Sequence, residues 1–171
     1  ELAKVFAAID HHLFRVQPKR PIHVFLGDYI DRGPASSQVI DMLIERGRQH
    51  EAIFLKGNHE AMLVDLLLRK PEVFPVFKQY GGLQTLLSYG ITPSVNPDER
   101  EQLVLLEALA QKIPHAHRRF FESLRLKFSC GDFFFVHAGV RAGIPLWEQK
   151  EEDMLWIRDE FLSSEKSFGK F

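Results

Sequence analysis

Hydrophobic and polar residues form two patterns along this chain: a periodic one that is typical of helices, and short apolar runs that are typical of buried strands. Apolar side chains recur at helical spacing in four segments: residues 1–16, 36–48, 99–112 and 115–124. Short runs that are almost entirely apolar occur at residues 22–26 and 52–55. Because apolar positions three and four apart indicate amphipathic helices and short apolar runs bounded by turn residues indicate buried strands, the pattern predicts strands that alternate with helices.

The first half of the chain is predicted to form a strand, helix, strand unit. Two strands joined by a crossover helix run parallel, so their carboxyl ends meet at one edge of the sheet, where α/β proteins build their sites. Polar residues follow both runs: Asp28, Asp31 and Arg32 after the first, and Asn58 and His59 after the second. We therefore expect these two loops to face each other and form one site.

The second half of the chain predicts a β-hairpin and further helices. The dipeptide Gly131-Asp132 separates the apolar runs at residues 126–129 and 133–136, which is a strong signal for a two-residue hairpin turn. His137 follows the second run and is a third polar residue at the end of a strand. A helix is predicted around residues 155–162, followed by a polar tail.

The segment between the two halves is punctuated by prolines and by Gly81-Gly82. It predicts a short helix at residues 83–89 and, as a whole, an insertion at residues 71–97 that covers the site. Asp98 is a suitable N-cap for the helix that follows.

Composition narrows the class of protein. The 171 residues are 45% hydrophobic, which is enough for one sizeable core, so we expect a single domain over residues 1–171. The net charge of -1 gives no electrostatic basis for a nucleic-acid or anionic-membrane partner. The single cysteine, Cys130, fits a reducing compartment, and the predicted location is cytoplasmic. No apolar run is long enough to cross a bilayer.

Asp28, Asn58 and His137 offer a carboxylate, an amide oxygen and an imidazole, each at a predicted strand end. This mixed oxygen and nitrogen set suits Mn, Fe or Zn. Each residue also has an ordinary structural role: a loop Asp caps turns, an Asn beside Gly occupies left-handed turns, and a strand-end His is often simply hydrogen-bonded. Their shared position at strand ends favours the metal interpretation.

A second group supplies proton transfer and phosphate binding. Asp31 can reach either a second metal or a neighbouring imidazole, and a carboxylate-held His59 would be a good general acid. Arg32 and Arg158 carry the planar guanidinium groups that bind phosphate oxygens in pairs. For Arg158 the competing interpretation is a solvated helix charge paired with a nearby Asp or Glu.

Three motifs in this order resemble the phosphoprotein phosphatase family of metallophosphoesterases. They are Gly-Asp-Tyr-Ile-Asp-Arg-Gly at residues 27–33, Gly-Asn-His-Glu at residues 57–60 and His-Ala-Gly at residues 137–139. The chain is most similar to the bacterial and phage serine/threonine phosphatase branch. The resemblance implies a calcineurin-like α/β fold with two packed mixed β-sheets flanked by helices.

The resemblance also implies the site. Asp28 would bridge two divalent metal ions, most naturally Mn with Fe or Zn as alternatives, and Asn58 and His137 would bind one of them. His59 with Asp31 would protonate the leaving oxygen, and Arg32 and Arg158, with Asn58, would bind the phosphate. The family's opening Gly-Asp-x-His-Gly motif and its closing Gly-His strand are not found in the chain. We therefore expect that the domain extends beyond both ends.

The predicted function is metal-dependent phosphomonoester hydrolysis, with a phosphorylated serine/threonine protein or a small phosphoester as substrate. Two alternatives stay open. One is hydrolysis of a dinucleoside polyphosphate such as diadenosine tetraphosphate, which uses the same kind of site on another leaving group. The other is an inactive module that binds phosphate groups without cleaving them.

Overall fold

A computed structural model describes residues 1–166 and residue 168. The helices are α1 Leu2–Val16, α2 Ser36–Gln49, α3 Asn58–Leu67, α4 Phe74–Gln79, α5 Gly82–Ser88, α6 Glu99–Lys112, α7 His115–Ser123, α8 Glu151–Trp156 and α9 Asp159–Leu162. The strands are β1 His23–Phe25, β2 Ala52–Phe54, β3 Lys127–Cys130 and β4 Phe133–Val136, and a 3-10 turn spans Pro71–Val73. The last residues of the predicted polar tail, 169–171, lie outside this description, as does Ser167. No helix of the described part is long and apolar enough to cross a membrane.

The parallel arrangement predicted for the first two strands is confirmed. β1 and β2 pair in parallel with His23 opposite Ala52 and Phe25 opposite Phe54, and α2 connects them. The pairing continues past β2, where the Leu55 N–H donates to the Phe25 carbonyl at 2.9 Å. Both loops that leave these strands therefore start at the same edge.

The predicted hairpin is also confirmed. β3 and β4 pair antiparallel, with Cys130 opposite Phe133 across the two-residue turn. A parallel bridge between Leu55 and Arg125 ties the segment that enters the hairpin to the end of β2. Among the described residues each sheet holds two strands, one sheet parallel and the other antiparallel.

The hydrophobic core lies mainly among the helices. Its fully buried members come from α2, α3, α4, α5, α6 and α7: Ile40, Leu43, Leu63, Leu66, Phe74, Phe77, Leu86, Leu109 and Phe121. Phe25 and Phe54 of the parallel strands pack against it with stacked rings 4.9 Å apart. The segment at residues 71–97 was predicted as an insertion that covers the site, and it also helps to build the core through Phe74, Phe77 and Leu86. Pro75 is compatible with this helix because it lies in the first turn of α4, which tolerates proline.

Most predicted helix limits agree with the structure within one or two residues, and Asp98 caps α6 by accepting from the Glu101 N–H at 2.8 Å. The helix predicted around residues 155–162 is the exception, because it is two short helices separated at Ile157 and Arg158. No glycine or proline marks this break. Ile157 is extended and buried, so tertiary packing interrupts the helix here.

Candidate active site

The polar loops at the strand ends converge on one pocket of about 540 Å³. Six of the seven site residues predicted from the sequence line it: Asp28, Arg32, Asn58, His59, His137 and Arg158. The seventh, Asp31, lies directly behind His59 with its side chain fully buried. The structure thus brings all seven together, while their chemical roles stay predictions.

The loop after β1 is held in an unusual backbone conformation. Asp28, Asp31 and Arg32 have φ angles of 59°, 71° and 58°, in the left-handed region. Such residues cost about 1 to 3 kcal/mol each and persist where surrounding contacts fix them. Here the Arg32 N–H donates to the Gly81 carbonyl at 3.1 Å, and the Asp31 N–H donates to Thr85 Oγ1 at 2.9 Å. The conformation places Asp28 and Arg32 at the pocket while Asp31 points inward.

Glu60 connects the two loops by hydrogen bonds. Its carboxylate is fully buried and accepts the N–H groups of Asp28 at 2.9 Å, Tyr29 at 2.7 Å and Gly57 at 2.9 Å. Burial raises the pKa of Glu60, although these three hydrogen bonds favour the charged form. The loops are so close that a Cβ added at Gly57 would lie 2.4 Å from Asp28 Oδ1. The two halves of the site are therefore fixed relative to each other.

His59 and Asp31 form the predicted carboxylate–imidazole contact. His59 Nδ1 donates to Asp31 Oδ2 at 2.6 Å, and the hydroxyl of Thr85 donates to Asp31 Oδ1 at 2.6 Å. Burial of the ring alone would lower the pKa of His59, but the hydrogen bond to Asp31 and the charges of Asp28 and Asp31 outweigh it and raise the pKa. With Nδ1 protonated, Nε2 faces the pocket and accepts from Arg32 Nη2 at 3.3 Å.

Asp28, Asn58 and His137 fit a cation. His137 Nδ1 donates to the Leu26 carbonyl at 2.6 Å, which leaves Nε2 as an acceptor. That nitrogen lies 3.2 Å from Asn58 Oδ1 and 3.4 Å from Asp28 Oδ1. Three acceptors at such separations repel one another unless a positive charge lies among them, and donor atoms about 2.0 to 2.2 Å from one metal ion have similar mutual distances. The donor set is thus suited to a divalent ion.

Within residues 1–166 and 168, no group of three or more His, Cys, Asp or Glu side chains is placed to hold a metal. The cluster described above contains two such residues, and its third donor is an amide oxygen. Further ligands for the pair of ions implied by the resemblance are not found in the described part of the chain.

Arg158 lines the pocket at the break between α8 and α9. In the described part of the chain it forms no ion pair with Glu152, Asp159 or Glu160, the partners that the competing interpretation required. A phosphate-binding role for Arg158 stays a prediction.

Four residues that contribute to the site were given no role from the sequence. Glu60 and Thr85 position the loop after β1, and Tyr80 and Trp156 line the pocket. For Glu60 a signal existed, because an acidic residue at the third position of a helix often reaches back to the first N–H groups. Thr85 and Tyr80 lie in the segment predicted as an insertion, and no local pattern connects them to Asp31 or His59.

Candidate cation donors, two guanidinium groups and a carboxylate-held imidazole in one pocket of a mixed α/β fold are the features expected of a metallophosphoesterase. Comparison with known proteins agrees with this class. The chain belongs to the calcineurin-like phosphoesterase family, whose profile matches residues 1–169. The fold class predicted from the motifs is thereby confirmed, and the family is typically dinuclear and metal-dependent.

One curated relative is the asymmetrical bis(5'-nucleosyl)-tetraphosphatase PrpE of Anoxybacillus flavithermus (strain DSM 21510 / WK1). The two sequences are 47% identical over 45 residues, which cover 23% of this chain and 18% of that protein. The chain therefore matches less than a fifth of the relative's length.

Proposed function

We propose that the protein carrying this chain hydrolyses phosphoesters, with His59 as the general acid. The observation that carries the proposal is the position of the His59–Asp31 pair beside the three cation donors and two arginines of a single pocket. A general acid, a cation site and phosphate-binding groups are each required for this reaction, and one pocket holds the candidates for all three roles.

Arg32 and Arg158 bind the non-bridging oxygens of the phosphate in this proposal, because planar guanidinium groups match their geometry. Asp28, Asn58 and His137 hold a divalent ion. When bound, such ions supply Lewis acidity and a water molecule of lowered pKa. We propose two ions per site, Mn foremost with Fe or Zn as alternatives.

His59 supplies the proton to the leaving group. Without substrate its Nε2 accepts from Arg32. When Arg32 engages a phosphate oxygen, Nε2 is released and takes up a proton from solvent. It can then donate that proton to the leaving oxygen as a water oxygen bonds to phosphorus and the ester phosphorus–oxygen bond breaks. Asp31 keeps the ring oriented through Nδ1 and stabilises the imidazolium.

Two substrate classes are candidates. A phosphorylated serine or threonine of a protein is the class that the motifs imply, together with a cytoplasmic location. A dinucleoside tetraphosphate is the second class, favoured by the 47% identity over 45 residues to PrpE.

The test uses the full-length protein with Mn²⁺ and three substrates: a phosphoserine peptide, diadenosine tetraphosphate and 4-nitrophenyl phosphate. We expect turnover, and we expect His59→Ala and Asp28→Ala each to lower kcat by about 100-fold or more, since general acids and cation sites typically contribute that much. His115→Ala, at an exposed histidine of α7, is the matched control. A loss below about tenfold in either site variant would contradict the assigned roles. No turnover, with one tightly bound ion or none, would favour the inactive phosphate-binding module.

A further inference from the structure

The pocket has an aromatic side that phosphate chemistry does not require. Asp28, Asn58 and His137 are among its polar groups, whereas Tyr80 and Trp156 supply two aromatic rings. Trp156 is 40% exposed, so part of its indole surface is accessible to a ligand. We call this pair the aromatic wall.

The aromatic wall begins at the general acid. The ring of Tyr80 meets the imidazole of His59 edge-on, with centroids 5.7 Å apart and planes at 87°. The indole of Trp156 meets Tyr80 in turn at 6.0 Å and 72°. These three rings therefore form a continuous series that leads from His59 along the pocket.

The wall is held in position by the loop that carries Arg32. The Gly81 carbonyl, one residue after Tyr80, accepts the Arg32 N–H at 3.1 Å. Gly81 has a φ of 95°, and a Cβ there would lie 2.9 Å from Arg32, so only glycine allows this close approach. Tyr80 is thus fixed relative to the arginine proposed to bind the phosphate.

We propose that Tyr80 and Trp156 select substrates whose leaving group carries a planar aromatic ring. The inference rests on the proposed function: His59 must protonate the leaving oxygen, so the leaving group lies beside His59 in the pocket that Tyr80 and Trp156 also line. Phosphoserine and phosphothreonine carry no ring. Between the two candidate substrate classes, the wall favours nucleotides.

Two kinds of leaving group share this chemistry. In an aryl phosphate the ring is bonded to the ester oxygen and lies close to His59, within reach of Tyr80. A nucleotide released from diadenosine tetraphosphate leaves through a phosphate oxygen. At least one phosphate and a ribose then separate its base from the scissile bond, so the base reaches farther along the wall to Trp156. Substitution of Tyr80 should therefore affect aryl phosphates most, and substitution of Trp156 should affect nucleotides most.

The kinetic test compares kcat/KM of the full-length protein for 4-nitrophenyl phosphate, diadenosine tetraphosphate and a phosphoserine peptide. We expect Trp156→Leu to lower the value for diadenosine tetraphosphate by about threefold to tenfold, mainly through KM, since one ring contact is worth that much. Tyr80→Leu should do the same for 4-nitrophenyl phosphate. For the phosphoserine peptide, each change should lower kcat/KM by less than it does for the ring-bearing substrate. The matched control is Trp147→Leu, at an exposed tryptophan that does not line this pocket. Equal losses for all three substrates would overturn the inference while leaving phosphoester hydrolysis intact.

A binding measurement separates this inference from catalysis. The chain contains two tryptophans, so Trp147→Phe leaves Trp156 as the chain's only indole fluorophore. Adenosine 5'-monophosphate should quench that fluorescence, whereas inorganic phosphate at the same concentration should not. Quenching by both ligands alike, or by neither, would overturn the proposal that the aromatic wall binds the ring of the substrate, whether or not the protein turns over substrate.

Discussion

The substitution Glu60→Gln tests whether one buried carboxylate holds the two halves of the site together. In the native protein three backbone N–H groups donate to its two oxygens: Oε1 accepts Tyr29, and Oε2 accepts both Asp28 and Gly57. Glutamine has nearly the same shape but a single oxygen. Its amide NH₂ group must then face at least one N–H donor, which is left without an acceptor.

The size of the effect follows from these contacts. A buried donor left without an acceptor costs about 1 to 3 kcal/mol. The two remaining hydrogen bonds would be accepted by a neutral amide oxygen in place of a charged carboxylate, which weakens each by about 1 kcal/mol. Removing a buried charge offsets part of this loss, as expected from the burial that raises the pKa of Glu60. We expect a net destabilisation of about 2 to 3 kcal/mol, a large share of the ~5 to 15 kcal/mol typical of a domain.

Urea unfolding followed by circular dichroism measures this change, and calorimetric titration with Mn²⁺ measures the consequence for the cation donors. Because Glu60 fixes the loop of Asp28 to the start of the helix that carries Asn58, the variant should also bind Mn²⁺ about 10- to 100-fold more weakly. Glu107→Gln is the matched control, since this side chain is 64% exposed and lies 3.9 Å from Arg69. Its free energy of unfolding should change by less than about 0.5 kcal/mol. If Glu60→Gln changed the free energy of unfolding as little as the control and bound Mn²⁺ normally, the proposal that Glu60 holds the two loops together would be refuted.

Three further outcomes are expected. Thr85→Val removes a hydroxyl that donates to Asp31 Oδ1 and accepts the Asp31 N–H; it should lower stability by about 1 to 3 kcal/mol in urea unfolding, and an unchanged midpoint would contradict this. His137→Ala should weaken Mn²⁺ binding by more than about 100-fold in calorimetric titration, because a direct donor should matter more than an outer one; unchanged affinity would exclude His137 as a donor. The hydrogen bond and charge of Arg141 lower the pKa of Asp153. That carboxylate therefore stabilises the fold above its unfolded pKa of about 3.9 and loses the effect as pH falls through the folded value. Asp153→Asn should be about 1 kcal/mol less stable at pH 7, and the difference should shrink below about pH 4; a difference that is constant from pH 7 to pH 3 would contradict this.

Local patterns were sufficient for the elements and for the position of the candidate site. The helix at α6 and the strand β4 were predicted with their observed limits, because a capping aspartate and a turn dipeptide mark their ends. The convergence of Asp28 and Asn58 also followed from the sequence. A crossover unit has only one common arrangement, so two strand ends can be placed side by side without knowledge of the remaining fold.

Local patterns failed where distant contacts outweigh local preference. The segment at residues 71–97 has the prolines of a loop, yet Phe77 and Leu86 are fully buried. They pack into the core that the other helices form. The break at Ile157 has no glycine or proline to announce it. In both places the packing partners come from elsewhere in the chain, and periodicity reports only on neighbours.

For this protein the sequence by itself determined which residues carry the candidate chemistry and that Asp28, Asn58 and His137 stand at strand ends. Apolar runs and the turn residues that bound them are local features, so the sequence alone is enough to identify strand ends. Only the tertiary structure decided what holds and surrounds these residues: Glu60 between the two loops, Thr85 behind Asp31, and the rings of Tyr80 and Trp156 beside His59. Such contacts join residues that are remote along the chain or lie on separate elements. Their geometry depends on how the helices pack, and no short stretch of sequence records it.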